Sequence, residues 1–518
     1  MPSIPLCATV VFYALTSAAQ ETGSVEGVCR RHSGGALPGA SVTLRANNAL
    51  RDQALRAVTG EEGRFRFTGL AAGDYEFGCE MAGFVRFRQW VKVGSGTTKV
   101  DAAMLRGAVL AGRVIFGAGQ TAAGIPVEAC RRGGRPRYIA YTDPAGAFRF
   151  DTLPPARYLI SAGGRGASFR RDRAYRMPAA PSADQTAAGW APTFFPAVLT
   201  SAEAEPIPLR AGAEVEGLQL RLLPVPVFSI RGKAVDDRGD PLAGARIELY
   251  GPDAWFGPED ECRSGADGSF AFAGVRAGDW TVRGVVSQGG LTRKGLEPVT
   301  VSRSDADRVR LQLDPPFALS GFVERDEPRD AEGQRKTSAI ILQQENGPGG
   351  IGPVFHRQDG SFVFPAVYPG RYRIYPLGFV PGWYLDSVRL GETPALKDFV
   401  DLRPGSPPIR IVYKPQAGRV RGTVERGEGA QVVLLPADET LWDGQFIRMA
   451  KAGAGGQFEV GSLRPGDYLA FAFEEPQDTD ELSDPVLVRR LLSHGVRVTA
   501  RHGELADVNL RVTPGGIW

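Results

Sequence analysis

A chain of 518 residues with 43% hydrophobic and 23% charged residues has material for several folded domains, and this composition excludes wholesale disorder. Its 61 basic and 58 acidic residues leave a net charge of +3, too little for a global field aimed at nucleic acid or at anionic membrane. No CxxC pair occurs, which leaves a zinc-ribbon or redox reading without support.

The chain begins with an apolar run from Ile4 to Leu15 followed by Ser17-Ala18-Ala19, the pattern of a cleaved export signal over residues 1–19, although no Lys or Arg precedes the run. The run falls short of the about 20 apolar residues of a membrane span, and no later stretch qualifies, so no transmembrane anchor is expected after cleavage.

From there the sequence repeats itself. Gly63 is followed by Phe65, Phe67, Leu70, Gly73 and Tyr75, and the same offsets return at Gly146, Gly268, Gly360 and Gly456. The leading glycine follows an acidic or small residue and suits the positive φ of a tight turn. Apolar residues at offsets two and four lie on one face of the strand that begins there. The Ala-Gly or Pro-Gly pair near offset ten suits a type II turn, and the aromatic at offset twelve opens the next strand. Upstream of each copy lies a strand carrying one glycine, at Gly27, Gly112, Gly232, Gly321 and Gly422. A turn and an alternating strand follow it, clearest as Leu37–Leu44 and Leu242–Leu249. Each copy closes with a hairpin-like pair, such as Val299–Val301 with Val309–Leu313, or Val496–Val498 with Val508–Leu510.

About seven short strands per copy, with almost no helical periodicity, predict an all-β chain of five tandem antiparallel β-sandwich domains. The expected boundaries are 20–105, 106–224, 225–315, 316–416 and 417–518. The second domain carries an insertion from about 163 to 197 that ends in Trp190-Ala191-Pro192-Thr193-Phe194-Phe195-Pro196. Joints at Pro224-Val225-Pro226, Pro315-Pro316 and Lys414-Pro415-Gln416 are short and stiff, which predicts a semi-rigid rod.

The glycine-bearing opening strand, LPGASVTL, the turn before GRFRF, and LAAGDYEF together resemble the carboxypeptidase regulatory-like domain, a transthyretin-like (prealbumin-like) sandwich related to collagen-adhesin B-type repeats. GWAPTFFPAVLTSAEAEPIPLRAG and GWYLDSVRLG are similar to segments of exported multi-repeat proteins of soil bacteria. The resemblance covers nearly all of residues 20–518. It implies the fold and an exported location in the periplasm, at the cell surface or outside the cell, and it implies no reaction. Some related adhesin repeats lock their sandwiches with a Lys–Asn isopeptide bond. Lys233 is the only lysine on an opening strand, so such bonds are not expected here.

No catalytic constellation is legible. His32, His356, His494 and His502 stand in unrelated settings without HExxH or HxxE spacing, and no GxSxG elbow occurs, so no catalytic, metal or cofactor residues are assigned. Gly347–Gly352 matches GxGxxG in letters only, since it bridges two predicted strands. Asp236–Asp240 and the acidic run Glu474–Asp484 read as a turn and a solvated loop. The arginines at 131–137 and 165–176 read as solvated loops. Cys29 and Cys79, on predicted strands of the first copy, either pair in an exported protein or remain two buried thiols.

The resulting expectation is a non-enzymatic exported scaffold or adhesion module at the cell envelope that binds polysaccharide or an envelope protein. The alternative is an accessory or regulatory component of an extracellular peptidase or other hydrolase. Trp190, Phe194, Phe195, Trp383 and Tyr384 fall outside the repeated core positions and are the candidates for stacking on sugar rings.

Overall fold

The computed structural model describes residues 22–47, 54–117, 119–121, 123–131, 137–163, 188–251, 258–325, 339–345, 350–378, 381–474, 477 and 479–513. The expected export signal, most of the 163–197 insertion and the first half of the Gly347–Gly352 loop lie outside them. The chain divides into two compact units, one formed by Met1–Val109 with Asp151–Pro154 and Arg210–Glu214, the other by the remainder.

In the first unit, alternation of apolar and polar residues makes β1 (Gly23–Arg31), β2 (Ser41–Ala46), β3 (Leu55–Val58), β4 (Arg64–Leu70), β5 (Gly73–Glu80), β6 (Phe87–Val93) and β7 (Thr97–Met104). They form two sheets, ordered β4-β1-β7 and β3-β2-β5-β6. Val25, Cys29, Phe65, Phe67 and Val100 from the first sheet meet Val42, Leu44, Phe77, Cys79 and Val91 from the second in one buried core.

The same pair of sheets recurs along the second unit. The first sheet is built on opening strands Ala108–Phe116, Pro224–Val235, Phe317–Glu324 and Gly418–Glu425. Pairing between the named strands is antiparallel except at one place in each copy where it can be read. The opening strand runs parallel to the closing strand, as in Gly27 beside Val100 and Gly422 beside Val508. The expected closing hairpin is therefore corrected. Leu291–Val301 pairs with Gly278–Gln288 in one sheet while Ala306–Gln312 pairs with Pro224–Val235 in the other. Val496–Ala500 and Leu505–Arg511 are divided between sheets in the same way. Two strands that each bury one face can sit in opposite layers as readily as side by side, and periodicity does not distinguish the two.

The repeated glycines have two distinct causes. The leading glycines adopt left-handed backbone, with φ of 70° at Gly63, 75° at Gly146, 76° at Gly268, 87° at Gly360 and 75° at Gly456. Those of the opening strands are set by packing. A Cβ on Gly27 would lie 1.8 Å from the Val100 carbonyl oxygen and 3.0 Å from the Phe65 ring. At Gly232 the corresponding separations are 2.2 Å from Val309 O and 2.7 Å from Phe270, and at Gly422 they are 1.6 Å from Val508 O and 3.1 Å from Phe458. The phenylalanine at offset two thus brings the tip of its ring against a bare backbone on the neighbouring strand. Gly73, Gly278, Gly370 and Gly466 have φ from 142° to 159°, which departs from the type II turn expected there.

A further shared residue stands four places before the leading glycine. Thr59 donates its hydroxyl to the Leu37 carbonyl (2.6 Å) and accepts from the Ala40 amide (2.9 Å). Ser264 does the same with Leu242 and Ala245 at 2.6 and 2.9 Å, and Thr142 accepts from Ile125 at 2.9 Å. His356 and Ala452 occupy the place in the last two copies.

The acidic run is also corrected, because part of it is helical. Helices α1 (Thr479–Leu482) and α2 (Pro485–Leu491) bring buried Leu482, Val488 and Leu491 onto Val433, Leu435, Trp442, Leu469, Phe471 and Phe473, a satellite core on the outer face of the last sheet.

Because no flexible group lies between Gly27 and the Val100 carbonyl, Gly27→Ala is expected to cost about 3 kcal/mol, whereas Gly60→Ala, at a site with open space, stays within about 0.5 kcal/mol. Calorimetric melting of the full chain checks the pair through the transition of the first sandwich.

Candidate ligand site

The aromatic candidates separate into different environments. Trp190 lies on a short strand, Ala188–Trp190, that pairs with Pro224–Pro226, and it meets the Phe116 ring edge-on at 4.9 Å. It borders a water-sized space of about 20 Å³ together with Pro192, Val225, Val227 and Trp280. Phe194 is buried with Cys130, Leu159 and Ala204, and Phe195 is half-buried. Tyr384 is 5% exposed, its ring 5.9 Å from that of His502. Stacking on a ligand from Phe194 or Tyr384 has no open face to use.

Trp383 differs. The segment GWYLDSVRL forms a strand, Trp383–Leu390, added antiparallel to Ile409–Pro415 on the first sheet of the fourth sandwich. Its first residue is where this sandwich meets the fifth. There Trp383 borders a cavity of about 210 Å³ with Tyr375, Tyr413, Leu385, Pro376, Leu377, Gly378, Gly444, Gln445 and Arg448.

The polar side of this cavity comes from the Asp443–Arg448 segment of the fifth sandwich. Asp443 anchors that segment. It accepts from Arg373 Nη1 (2.8 Å), from the Tyr375 hydroxyl (3.3 Å) and from the Gln445 amide (2.9 Å). Gln445 is 6% exposed, and neither its Nε2 nor its Oε1 has a hydrogen-bond partner. An amide buried in this way costs about 1–3 kcal/mol until something pairs with it. Arg448 is 9% exposed and donates to the carbonyls of Gln445 (2.8 Å), Ile447 (3.1 Å) and Ser462 (3.3 Å). Burial lowers its guanidinium to about 10, which still leaves it charged at neutral pH.

Of the five aromatic candidates, only Trp383 reaches this cavity. Sequence reading missed Gln445, Arg448, Tyr375 and Tyr413. The signal that was present is the stretch Trp442–Phe446, which also puts aromatics outside the repeated positions.

Elsewhere, His356 is buried, with Nε2 2.6 Å from Arg325 Nη2 and Nδ1 2.8 Å from the Arg357 carbonyl. Among the described residues no group of three or more His, Cys, Asp or Glu is placed to hold a metal ion. Asp236 closes its own turn, accepting from the amides of Arg238 and Asp240 at 2.9 Å each. Cys29 and Cys79 face each other across the first sandwich with sulfurs 2.7 Å apart. Contact with Cys79 and burial push the Cys29 thiol up.

These features define a tandem β-sandwich protein. Two of its sandwiches, at residues 24–105 and 229–314, match the family model of the carboxypeptidase regulatory-like domain. They are the two copies that combine a hydroxyl four places before the leading glycine with a glycine at offset ten: Thr59 with Gly73, and Ser264 with Gly278. Among curated proteins no match is found. Among solved structures, the Bacillus anthracis TIE protein is 12% identical over 73% of this chain and 68% of its own, at a TM-score of 0.17. A streptococcal ancillary pilin is 11% identical over 57% of this chain and 99% of its own, at 0.19. The major pilin subunit of Bacillus cereus is 12% identical over 57% and 99%, at 0.15. With TM-scores below 0.5, none of these likenesses bears on the fold or function of this chain.

One buried acid gives a pH-dependent readout. Glu128, on the strand Pro126–Arg131, is 7% exposed with Arg137 Nη1 3.7 Å away. Burial, only partly offset by Arg137 and reinforced by Glu259, raises its carboxyl to about 7. A raised acid favours the folded state while it is protonated. Its contribution is full below the ordinary carboxylate range and is lost as pH rises through about 7. Melting of the full chain between about pH 5 and pH 8 should therefore show a loss of about 3 kcal/mol in one transition, and Glu128→Gln should flatten that dependence.

Proposed function

We propose that the protein is a non-catalytic, exported scaffold of β-sandwiches, with domains at 20–105, 106–224, 225–315, 316–416 and 417–518, that binds polysaccharide at the cell envelope. The observation that carries this reading is the cavity at Trp383, lined by Trp383, Tyr375 and Tyr413 together with Gln445, whose buried side-chain amide has no hydrogen-bond partner. Aromatic faces and a few placed polar groups are what a sugar ring requires of a site.

Support also comes from the joint beside the cavity. Arg464 Nη1 donates to the carbonyls of Leu385 (3.0 Å) and Asp386 (2.7 Å), Arg373 pairs with Asp443, and the Ala417 amide reaches the Gly382 carbonyl at 3.0 Å. Hydrogen bonds that tie adjoining sandwiches hold a site built from both in a fixed shape, which suits a presenting scaffold. No helix among the described residues is long and apolar enough to cross a membrane.

The test is retention of the full mature chain on a panel of insoluble and soluble polysaccharides. Saturable retention on one glycan class is the expected result, and absence of retention across the panel removes the reading. Export carries its own prediction: Cys29 and Cys79 should be oxidised to a disulfide in protein recovered from the envelope. Unreduced protein should then resist alkylation at both positions and be lighter than the fully reduced chain by one pair of hydrogens. Two freely alkylated thiols would count against an oxidising location.

A further inference from the structure

We infer that the outer face of the β3-β2-β5-β6 sheet in the first sandwich is a second glycan-binding surface, on which Trp90 stacks against a hexose ring of a neutral polysaccharide. This rests on the polysaccharide-binding reading and adds to it a ligand class and a further point of contact.

Trp90 is set apart from the other described tryptophans. Trp280 and Trp442 are buried and donate their indole N–H to the carbonyls of Arg276 (3.0 Å) and Pro436 (2.8 Å), Trp383 is buried, and Trp190 is half-buried against Phe116. Trp90 is 59% exposed. Val91 and Val93 turn inward on β6, so Arg88, Trp90 and Lys92 stand together on its outer face. Among the described residues neither a ring contact nor an indole hydrogen bond engages Trp90.

The common frame does not call for a tryptophan at this place. Trp90 lies opposite Glu76, thirteen positions after the leading glycine. The same place holds Pro298 opposite Thr281 in the third copy and Arg497 opposite Leu469 in the fifth. Where the fifth copy sends Phe471 and Phe473 outward from the corresponding sheet, the chain covers them itself with α1 and α2. In the first copy the outward ring stays in water, and a partner that lies flat on it recovers the burial that the fold leaves unused.

The surroundings select that partner. Arg88 and Lys92 flank Trp90 along β6, while Glu76 and Asp74 stand opposite Trp90 and Lys92 on β5. Glu76 accepts from Arg45 Nη2 on β2 and lies 3.6 Å from Arg88 Nη1, which ties it to both neighbouring strands. Two cations and two carboxylates thus surround one aromatic side chain, with a third cation, Arg45, already in an ion pair. A hydroxyl both donates and accepts, so a pyranose on Trp90 finds use for both kinds of group. An anionic polymer meets the two carboxylates instead. A protein hot spot of this type sits among apolar neighbours in a dry pocket, and the residues opposite Trp90 and two places to either side of it are charged.

The experiment is retention of the full mature chain on insoluble neutral glycans, compared with Trp90→Ala and Trp90→Phe. Because several contacts on one chain reinforce each other on a polymer, Trp90→Ala should lower retention about ten-fold, and Trp90→Phe, which keeps a flat ring, should lower it less. The melting temperature should stay unchanged in both, as the site is exposed. Retention should also persist from about 0.05 M to about 0.5 M salt, since screening acts on charges and not on stacking. A second readout needs no variant: oxidation of Trp90 in the unaltered chain, mapped by mass spectrometry, should slow in the presence of a saturating soluble oligosaccharide of the retained class. Unchanged retention of Trp90→Ala, or oxidation of Trp90 that the oligosaccharide does not slow, overturns the inference and leaves the general reading standing. Retention that collapses with salt points to an anionic polymer and overturns it as well. Absence of retention of the unaltered chain on every glycan removes the general reading itself.

Discussion

One contact recurs through the molecule, a phenylalanine ring that reaches with its tip against a glycine on the next strand. Phe65 covers Gly27, Phe270 covers Gly232, Phe362 covers Gly321 and Phe458 covers Gly422. The glycine lets the parallel closing strand approach so closely that any side chain would meet a carbonyl oxygen, and the ring fills the space left by the missing one. Both residues are needed for either to be favourable. Everything else in a sandwich can vary around that pair, which is why the second copy carries a long insertion, the fourth an extra strand and the fifth two short helices without loss of the common frame.

Across the exposed face of the same sheets the chain spends its arginines. Arg30 grips Asp101 with two hydrogen bonds of 2.7 and 2.6 Å, Arg231 reaches Asp305 and Asp307, Arg410 holds Glu324 bidentately, and Arg421 and Arg511 pair with Asp507 and Glu425. In each of these pairs one partner lies on or beside the opening strand and the other on or beside the strand that closes the copy. The planar guanidinium suits such cross-strand grips better than lysine does. Exposed pairs of this kind are worth little singly, roughly 0–1 kcal/mol, yet they favour one register of two parallel strands over its neighbours. The near balance of 61 basic and 58 acidic residues is accordingly a sign of local pairing.

The frame was legible because its causes are local in sequence. A left-handed glycine and two inward phenylalanines leave fixed offsets that survive insertion anywhere else, and Gly63, Gly146, Gly268, Gly360 and Gly456 all stand where those offsets put them. The hydroxyl at Thr59 and Ser264 recurs in only some copies, and only its bonds to Leu37 and Ala40 or to Leu242 and Ala245 reveal its role. The sheet assignment of the closing strands was not legible, because alternation tells which residues face inward and not which layer they belong to. The cavity was half legible. Trp383 stood out by breaking the repeat, whereas Gln445 and Arg448 gain their meaning from burial against a different sandwich, a relation that no spacing within either one encodes.

The short strand Ala188–Trp190 is contributed by the tail of the insertion in the second sandwich, yet it lies along Pro224–Pro226, where the third one begins. The border between these two is therefore a shared seam. A third sandwich released by proteolysis at the proline joint would leave the Val225–Val227 stretch as a bare edge, with apolar side chains and unpaired backbone groups available to any other strand. Such fragments should stick to one another, and a cell that turns this protein over would do best to cut it elsewhere.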